Sequence, residues 1–485
     1  MSNRISISLL ALALALPSVA TSNPGNGDAA SELRTKASVI LDHSNALAEI
    51  WPGYWPEDQG FILYDPTHGA VLVGAEQRPR NITYRAGELP GAHAKFVFDY
   101  PAGAPNMMMM TVKEDWPDAA ETLFHEQFHD FQRDAFDRGD WKNAGEYVDL
   151  TAISDRAAFT AGAELERRVL ADAVLAKTDA RRFDLARSYI ALRRAREATV
   201  GDVIIGKERY FERLEGTAEY VGLTAASVVL GESTSSVSDK LAEGLRRSLF
   251  DNAEGSYSGN WFRRRAYGVG GAIAVLLDRS GTDWKARVQA GESLDVVLEN
   301  TLGESDSGEL QHLAAVTRAD YGANEILADM TAALAAAPKT IESKADFMQL
   351  GSRHLILAIT VPRDQLGDGR EFSQTKQMIP IGRSATAFLD VIDYQVERPG
   401  IELRVQGLSI LAENPPSKPG EPFKRIYIVS LDDDVKLAEL DNLSRGTHNL
   451  AAVDLSINGL TLRISKPVAV TVAQDRITLS ASVAG

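Results

Sequence analysis

The 485-residue chain contains no cysteine. No disulfide can brace it, so its stability must come from its own core. Any metal it binds must be held by histidine and carboxylate side chains. The chain also lacks positive charge: 51 Lys and Arg stand against 67 Asp and Glu, a formal net charge of −16. A surface of that sign repels phosphate backbones and argues against nucleic acid as a partner. After residue 20 there is no apolar run approaching the ~20 residues needed to span a bilayer. No repeat of fixed period and no low-complexity tract is present, and histidine is scarce, eight in all.

What is present begins with an export signal. Met1 to Arg4 is short and basic, Ile5 to Leu16 is apolar, and Pro17-Ser18-Val19-Ala20 supplies small residues for a peptidase. The pattern predicts a signal peptide over 1–20, cleaved after Ala20. The protein is therefore expected in a periplasm or the extracellular medium, with no transmembrane segment after cleavage. Residues 21–35 read as a flexible leader, polar and Gly/Asn-rich at its start.

The remainder divides by texture. Helical periodicity over Ser31 to Ile50 gives way to short strand-like runs at Gly60–Tyr64, Ala70–Val73, Asn81–Arg85, Lys95–Tyr100 and Met107–Val112. From Trp116 to about Ala337 the chain reads as mostly helical, with charged, amphipathic stretches at 157–175 and 182–197 that suggest a helical hairpin. Beyond residue 345 strand-like runs return, among them Leu355–Val361, Ile401–Val405, Arg425–Val429, Leu460–Ile464, Val468–Val472 and Ile477–Ser480. The expected class is α+β. A small N-terminal sheet and a mainly helical domain fill 36–340, and an all-β, sandwich-like domain fills 341–485.

The chemistry concentrates in Phe124-His125-Glu126-Gln127-Phe128-His129, an HExxH pattern. On a helix, residues four apart share a face, so His125 and His129 can offer their imidazoles to one ion. Glu126 stands beside them, placed to take a proton from a zinc-activated water. The helical context is supplied by Pro117 and by Asp115 and Asp118 near the start, by the apolar Leu123, Phe124, Phe128 and Phe131, and by Gly139 as a stop. A catalytic zinc site needs a third protein ligand. The extended HExxHxxGxxH pattern is absent. The strongest candidates are Glu215 and Glu219, four apart in Arg213-Leu214-Glu215-Gly216-Thr217-Ala218-Glu219-Tyr220. One of the two can bind a metal while the other orients an imidazole. Gly216 in mid-helix costs ~1 kcal/mol of helix propensity and suggests that another element packs closely there.

HExxH followed by a helix carrying Glu-Gly-x-Ala-x-Tyr resembles the gluzincin zinc metallopeptidases, both thermolysin-like enzymes and the related aminopeptidases. The resemblance implies Glu215 as third ligand, although Leu214 replaces the aminopeptidases' Asn. It implies a supporting role for Glu219, which stays open as the alternative ligand. Tyr267, in Arg265-Ala266-Tyr267-Gly268, matches the family tyrosine that stabilises an oxyanion. The match spans roughly residues 95 to 280 and departs from the family in two ways. Glu215 lies 86 positions after His129, a far longer interval than in the best-known members. The exopeptidase Gly-x-Met-Glu-Asn signature is missing, and Asn106-Met107-Met108-Met109-Met110 stands in its place, readable as an edge strand for an extended peptide or as a buried strand.

The expectation is an exported zinc metallopeptidase with one catalytic Zn²⁺ on His125, His129 and Glu215, Glu126 as general base, and a peptide or protein substrate. Two other readings share the sequence. One is a zinc hydrolase of a non-peptide substrate. The other is a binding protein on a metallopeptidase scaffold, whose C-terminal β-domain makes the contact.

Overall fold

The computed structural model describes residues 26–483, apart from 55–59, 75–81, 90–95, 101–106, 113–115, 138–149, 151–152, 248, 250–260, 304–305, 337–340, 342–343, 366–368, 382–383, 419–420, 433–434 and 474–475. The expected signal peptide, Asp115 and the expected stop at Gly139 lie outside these residues. The chain forms two compact units: Met1–Leu123 with Val228–Leu230, and Phe124–Ser227 with Gly231–Gly485. No described helix is long and apolar enough to cross a membrane.

The first unit holds helices α1 (Asn26–Asp42) and α2 (Ser44–Ala48) and five strands: β1 (Phe61–Asp65), β2 (Gly69–Val73), β3 (Ile82–Arg85), β4 (Phe96–Tyr100) and β5 (Met107–Thr111). Helix α1 begins inside the stretch read as a flexible leader. Ala30, Leu33, Ala37 and Ile40 recur at helical spacing and are buried, which gives that stretch a reason to fold. The strand order is β3-β2-β1-β5-β4, with β1 and β5 parallel and the other pairs antiparallel. Of the two readings of the methionine run, the edge strand is the one that fails: β5 is paired on both sides, and Met109 and Met110 are fully buried.

The motif helix α3 (Trp116–Ala135) leads into a helical region. It comprises α4 (Arg156–Leu175), α5 (Asp179–Glu197), α6 (Asp202–Phe211), α7 (Thr217–Leu230), α8 (Thr234–Arg246), α9 (Trp261–Ser280), α10 (Trp284–Gln289), α11 (Leu294–Leu302), α12 (Ser307–Asp320) and α13 (Ala323–Ala336). As the hairpin reading expects, α4 and α5 pack together, and Thr178 caps α5 by accepting from the Arg181 amide. Between α6 and α7 the chain runs on without a break through a π-helical turn, Glu212–Gly216.

The C-terminal region follows a short helix, α14 (Lys344–Phe347). Its strands are β6 (Arg353–Val361), β7 (Arg370–Ile381), β8 (Ala385–Arg398), β9 (Ile401–Val405), β10 (Ile410–Glu413), β11 (Phe423–Leu431), β12 (Gly446–Leu450), β13 (Val453–Ile457), β14 (Leu460–Ile464), β15 (Val468–Val472) and β16 (Arg476–Ser482). The two sheets of a sandwich are not what forms. All eleven strands belong to one sheet, in the order β12-β15-β16-β6-β11-β10-β8-β9-β14-β13, with β7 on β8. The terminal strands β12 and β13 are consecutive in the chain, joined by Ala451 and Ala452, so the sheet curls into a nearly closed barrel. The long strand β8 explains the curl. Its start pairs with β10 and its end with β9, and it bends between them, where Asp390 adopts φ 47° and the β7 register shifts at Gln374/Thr375. One core, including Leu357, Tyr394, Leu403, Tyr427, Leu462 and Leu479, fills the interior.

Candidate metal centre

Every residue of the centre belongs to the second unit. His125 and His129 lie one turn apart on α3, and their Nε2 atoms approach to 3.1 Å. Glu215, in the π turn, brings its Oε2 to 3.3 Å from His129 Nε2 and 3.6 Å from His125 Nε2. These three atoms can hold one ion. A tetrahedral zinc with bonds of about 2.0–2.2 Å has ligand atoms about 3.3–3.6 Å apart, and the observed triangle is close to that. Glu215 Oε2 is buried, and among the described residues the two imidazoles stand near it without a hydrogen bond of good geometry. A buried carboxylate oxygen in that condition is costly unless a cation meets it. The donor set therefore fits zinc.

The other ring nitrogens are held away from the triangle. Gln132 Nε2 donates to the Leu214 carbonyl at 2.8 Å and to Thr217 Oγ1 at 2.7 Å, so its Oε1 faces His129 Nδ1 at 2.7 Å as an acceptor. The Nδ1 of His129 must then carry the hydrogen, leaving Nε2 with a free lone pair. Glu219 Oε2 lies 3.4 Å from His125 Nδ1 and plays the same part for that ring. The two candidate carboxylates are thus separated by geometry: Glu215 meets the Nε2 pair, while Glu219 meets His125 on its far side.

Several contacts fix the two ligand-bearing helices to each other. Besides Gln132, Arg213 donates from Nε to the Val288 carbonyl and from Nη2 to the Asp137 carbonyl, each at 2.8 Å, tying the end of α3 to α10 and the π turn. The glycine reading also holds. A Cβ on Gly216 would lie 2.4 Å from the Cα of Gly270, and one on Gly270 would lie 2.5 Å from the Glu212 carbonyl oxygen. Backbone meets backbone there, which only glycine on both sides permits.

Helix α9 brings three arginines to three different fates. Arg263 Nε donates to Glu215 Oε1 at 2.8 Å and lies 5.9 Å from the Tyr267 ring centre. Arg265 is buried among carboxylates, with Nη2 at 2.7 Å from Glu166. Arg264 lines a cavity. Tyr267 stacks on His125, ring centres 5.4 Å apart and tilted by 24°. Burial, helped by Glu215, pushes the Tyr267 phenol well above its ordinary value, so it stays a donor. Burial alone would lower His125, but Glu215 and Glu219 reverse this and lift it to about 9. A metal entering the site must displace that proton. Burial also raises the half-buried Glu126, against the opposing pull of His129, His125 and Arg263, which suits a group that must accept a proton near neutral pH. Burial would raise Glu215 too, yet His125, His129 and Arg263 outweigh it and keep this carboxylate ionised far below its usual range.

Comparison of the chain with protein-family models, with curated proteins and with solved structures finds no match in any of the three.

Gln132, the anchoring by Arg213 and the π turn are the parts that sequence reasoning missed. Arg263, with Arg264 and Arg265, reads from the sequence as a group for a substrate carboxylate or as solvated, and its bond to Glu215 is what the structure adds. Gln132 carried a usable signal, since it lies three residues after His129 on the same helix face. The π turn carried none. Such turns recur at functional sites, and this one holds the third candidate ligand.

Proposed function

We propose that the chain is a zinc-dependent hydrolase that cleaves peptide bonds. The observation that carries this reading is the triangle formed by His125 Nε2, His129 Nε2 and Glu215 Oε2, with sides of 3.1, 3.3 and 3.6 Å. Zinc held there would supply a Lewis acid that polarises a carbonyl and eases loss of a proton from water. Glu126, adjacent to His125 and with its carboxyl raised by burial, takes the proton of the attacking water and returns it to the leaving amine. Tyr267 donates its phenol hydrogen to the carbonyl oxygen as negative charge grows on it. Gln132 and Glu219 keep the two imidazoles in the tautomer that leaves Nε2 free. Arg263 occupies the second oxygen of Glu215 and so directs the first toward the histidines.

The test is metal content together with hydrolysis of an unfolded protein, with Glu126→Gln as control. One zinc per chain is expected, with turnover lowered at least about a hundredfold in the variant. One zinc per chain with no hydrolysis of any peptide would leave the metal centre standing and remove the peptidase. Export through residues 1–20 belongs to the same reading, and the secreted protein is expected to begin at Thr21 on N-terminal sequencing.

A further inference from the structure

Beside the metal centre lies a cavity of about 490 Å³ whose lining runs against the charge of the molecule. The chain as a whole is at −16. The cavity wall nevertheless carries Arg167, Lys240, Arg247, Arg264 and Arg265 against a single acid, Glu219. Two of its lining residues belong to the centre just described. Tyr267 stacks on His125, and Glu219 turns its carboxylate to His125 Nδ1. The cavity therefore opens one side chain away from the candidate ligands.

Most of these cations already have a carboxylate. Arg167 is bonded to Glu164 at 2.6 Å, Lys240 to Glu232 at 3.1 Å, Arg265 to Glu166 at 2.7 Å, and Arg247 to Glu243. Arg264 is different. Among the described residues it is half-buried, lines the cavity, and makes no hydrogen bond or ion pair. It stands three residues before Tyr267 and four before Gly268, on the face of α9 that forms the wall. A guanidinium brings a fork of donors suited to a carboxylate, and partial burial strengthens what it binds.

We propose that this cavity is a specificity pocket for a carboxylate of the substrate, with Arg264 as the residue that receives it. This rests on the reading of the centre as a peptidase and adds the substrate class: peptides with an acidic group next to the cleaved bond. Arg264 lies about one helical turn from Tyr267, which keeps the bound carboxylate within a side chain's length of the reacting carbonyl. The carboxylate can come from a Glu or Asp side chain or from a free chain terminus, and the two sources are separable.

The experiment measures binding to zinc-loaded Glu126→Gln protein, in which slow turnover does not obscure equilibrium. Three alanine-rich hexapeptides serve as probes: one with both ends blocked and a central Glu, the same with a central Gln, and the Gln peptide with a free C-terminal carboxylate. The expected result is at least tenfold tighter binding of one carboxylate-bearing peptide than of the blocked Gln peptide. That advantage should fall below twofold when Arg264→Gln is added and return in part with Arg264→Lys. A gain for the central Glu identifies the side chain as the source, and a gain for the free end identifies the terminus. Equal affinity for all three probes, or an advantage that survives Arg264→Gln, overturns the proposal. Hydrolysis of the same peptides by the wild-type protein is scored separately. Selective binding without hydrolysis would keep the carboxylate pocket and discard the peptidase.

Discussion

The helical region and the barrel lie in the same compact unit and differ in what they bury beside their apolar cores. The barrel interior is apolar. Among the described residues the polar groups of this core are the hydroxyls of Tyr394 and Tyr427, both bonded to Glu371, while the buried His354 and Ser430 lie on the opposite face of their strands and reach the Leu350 carbonyl. The helical interior adds to its apolar core a network of buried ion pairs. Arg196 bonds Glu166 at 2.6 and 2.9 Å and Glu208 at 3.0 Å; Arg193 bonds Glu212 at 2.6 Å and Glu197 at 3.0 Å; Arg194 and Arg209 converge on Asp295 at 2.7 and 2.9 Å. Apolar packing is non-directional and sets volume. Charge-assisted bonds set angles as well. Glu212, bonded by both Arg193 and Arg265, lies three residues before Glu215, so this network fixes the rotation of the turn that presents the candidate ligand. The difference teaches that stability alone does not account for the interior of the helical region, because a buried ion pair is weak evidence for stability, whereas a metal ligand needs a defined orientation.

The contrast is broken most directly by removing one cation. Arg265→Met leaves Glu166 and Glu212 short of a partner in a fully buried site and is expected to destabilise by about 3–5 kcal/mol. Leu462→Ala in the barrel, opposite Leu403, should cost about 2–5 kcal/mol by cavity formation. The two are distinguished by pH in denaturant titrations. Burial would raise Glu208, but its ion pairs with Arg196 and Arg265 and the charge of Arg193 outweigh this and hold the carboxyl below its ordinary value. Its contribution is present in full above the unfolded carboxylate value near 4 and is lost as pH falls through the lower folded value. The deficit of Arg265→Met should therefore narrow on acidification, while that of Leu462→Ala stays constant.

Metal removal sharpens the contrast at a smaller scale. Zinc at a hundredfold excess over its dissociation constant adds about 2.7 kcal/mol. Chelation should therefore lower amide protection in α3 and the π turn and leave β6 to β16 unchanged, as read by hydrogen exchange. The smallest effect is expected from Gln132→Leu. It removes the acceptor of His129 Nδ1 and should weaken zinc binding about 10–100-fold in a competition titration, with helix content unaltered.

Much of this was legible in the sequence, for local reasons. The histidine pair is read from a spacing of four, and β14 and β15 from alternation. Gly216 announced a close neighbour because glycine is costly in a helix, and Gly270 is that neighbour. What depends on distant pairing was not legible. Closure of the barrel requires β16 to lie parallel to β6, which no local pattern records. The charge in α4 and α5 was plain, but not its destination: Glu166, Arg193 and Arg196 point inward because their partners arrive from α6, the π turn, α9 and α11. Arg263 likewise reads as one of three equivalent arginines until Glu215 is placed beside it.

The seam between Gly216 and Gly270 has a mechanical consequence. With no side chain between them, the two backbones have no cushion, so a small slide of α9 must displace the π turn by a comparable amount. Tyr267 and Arg264 ride on one member of that pair and Glu215 on the other. A load applied at the cavity wall is therefore delivered to the candidate ligand Glu215 as motion, through a joint that has almost no slack.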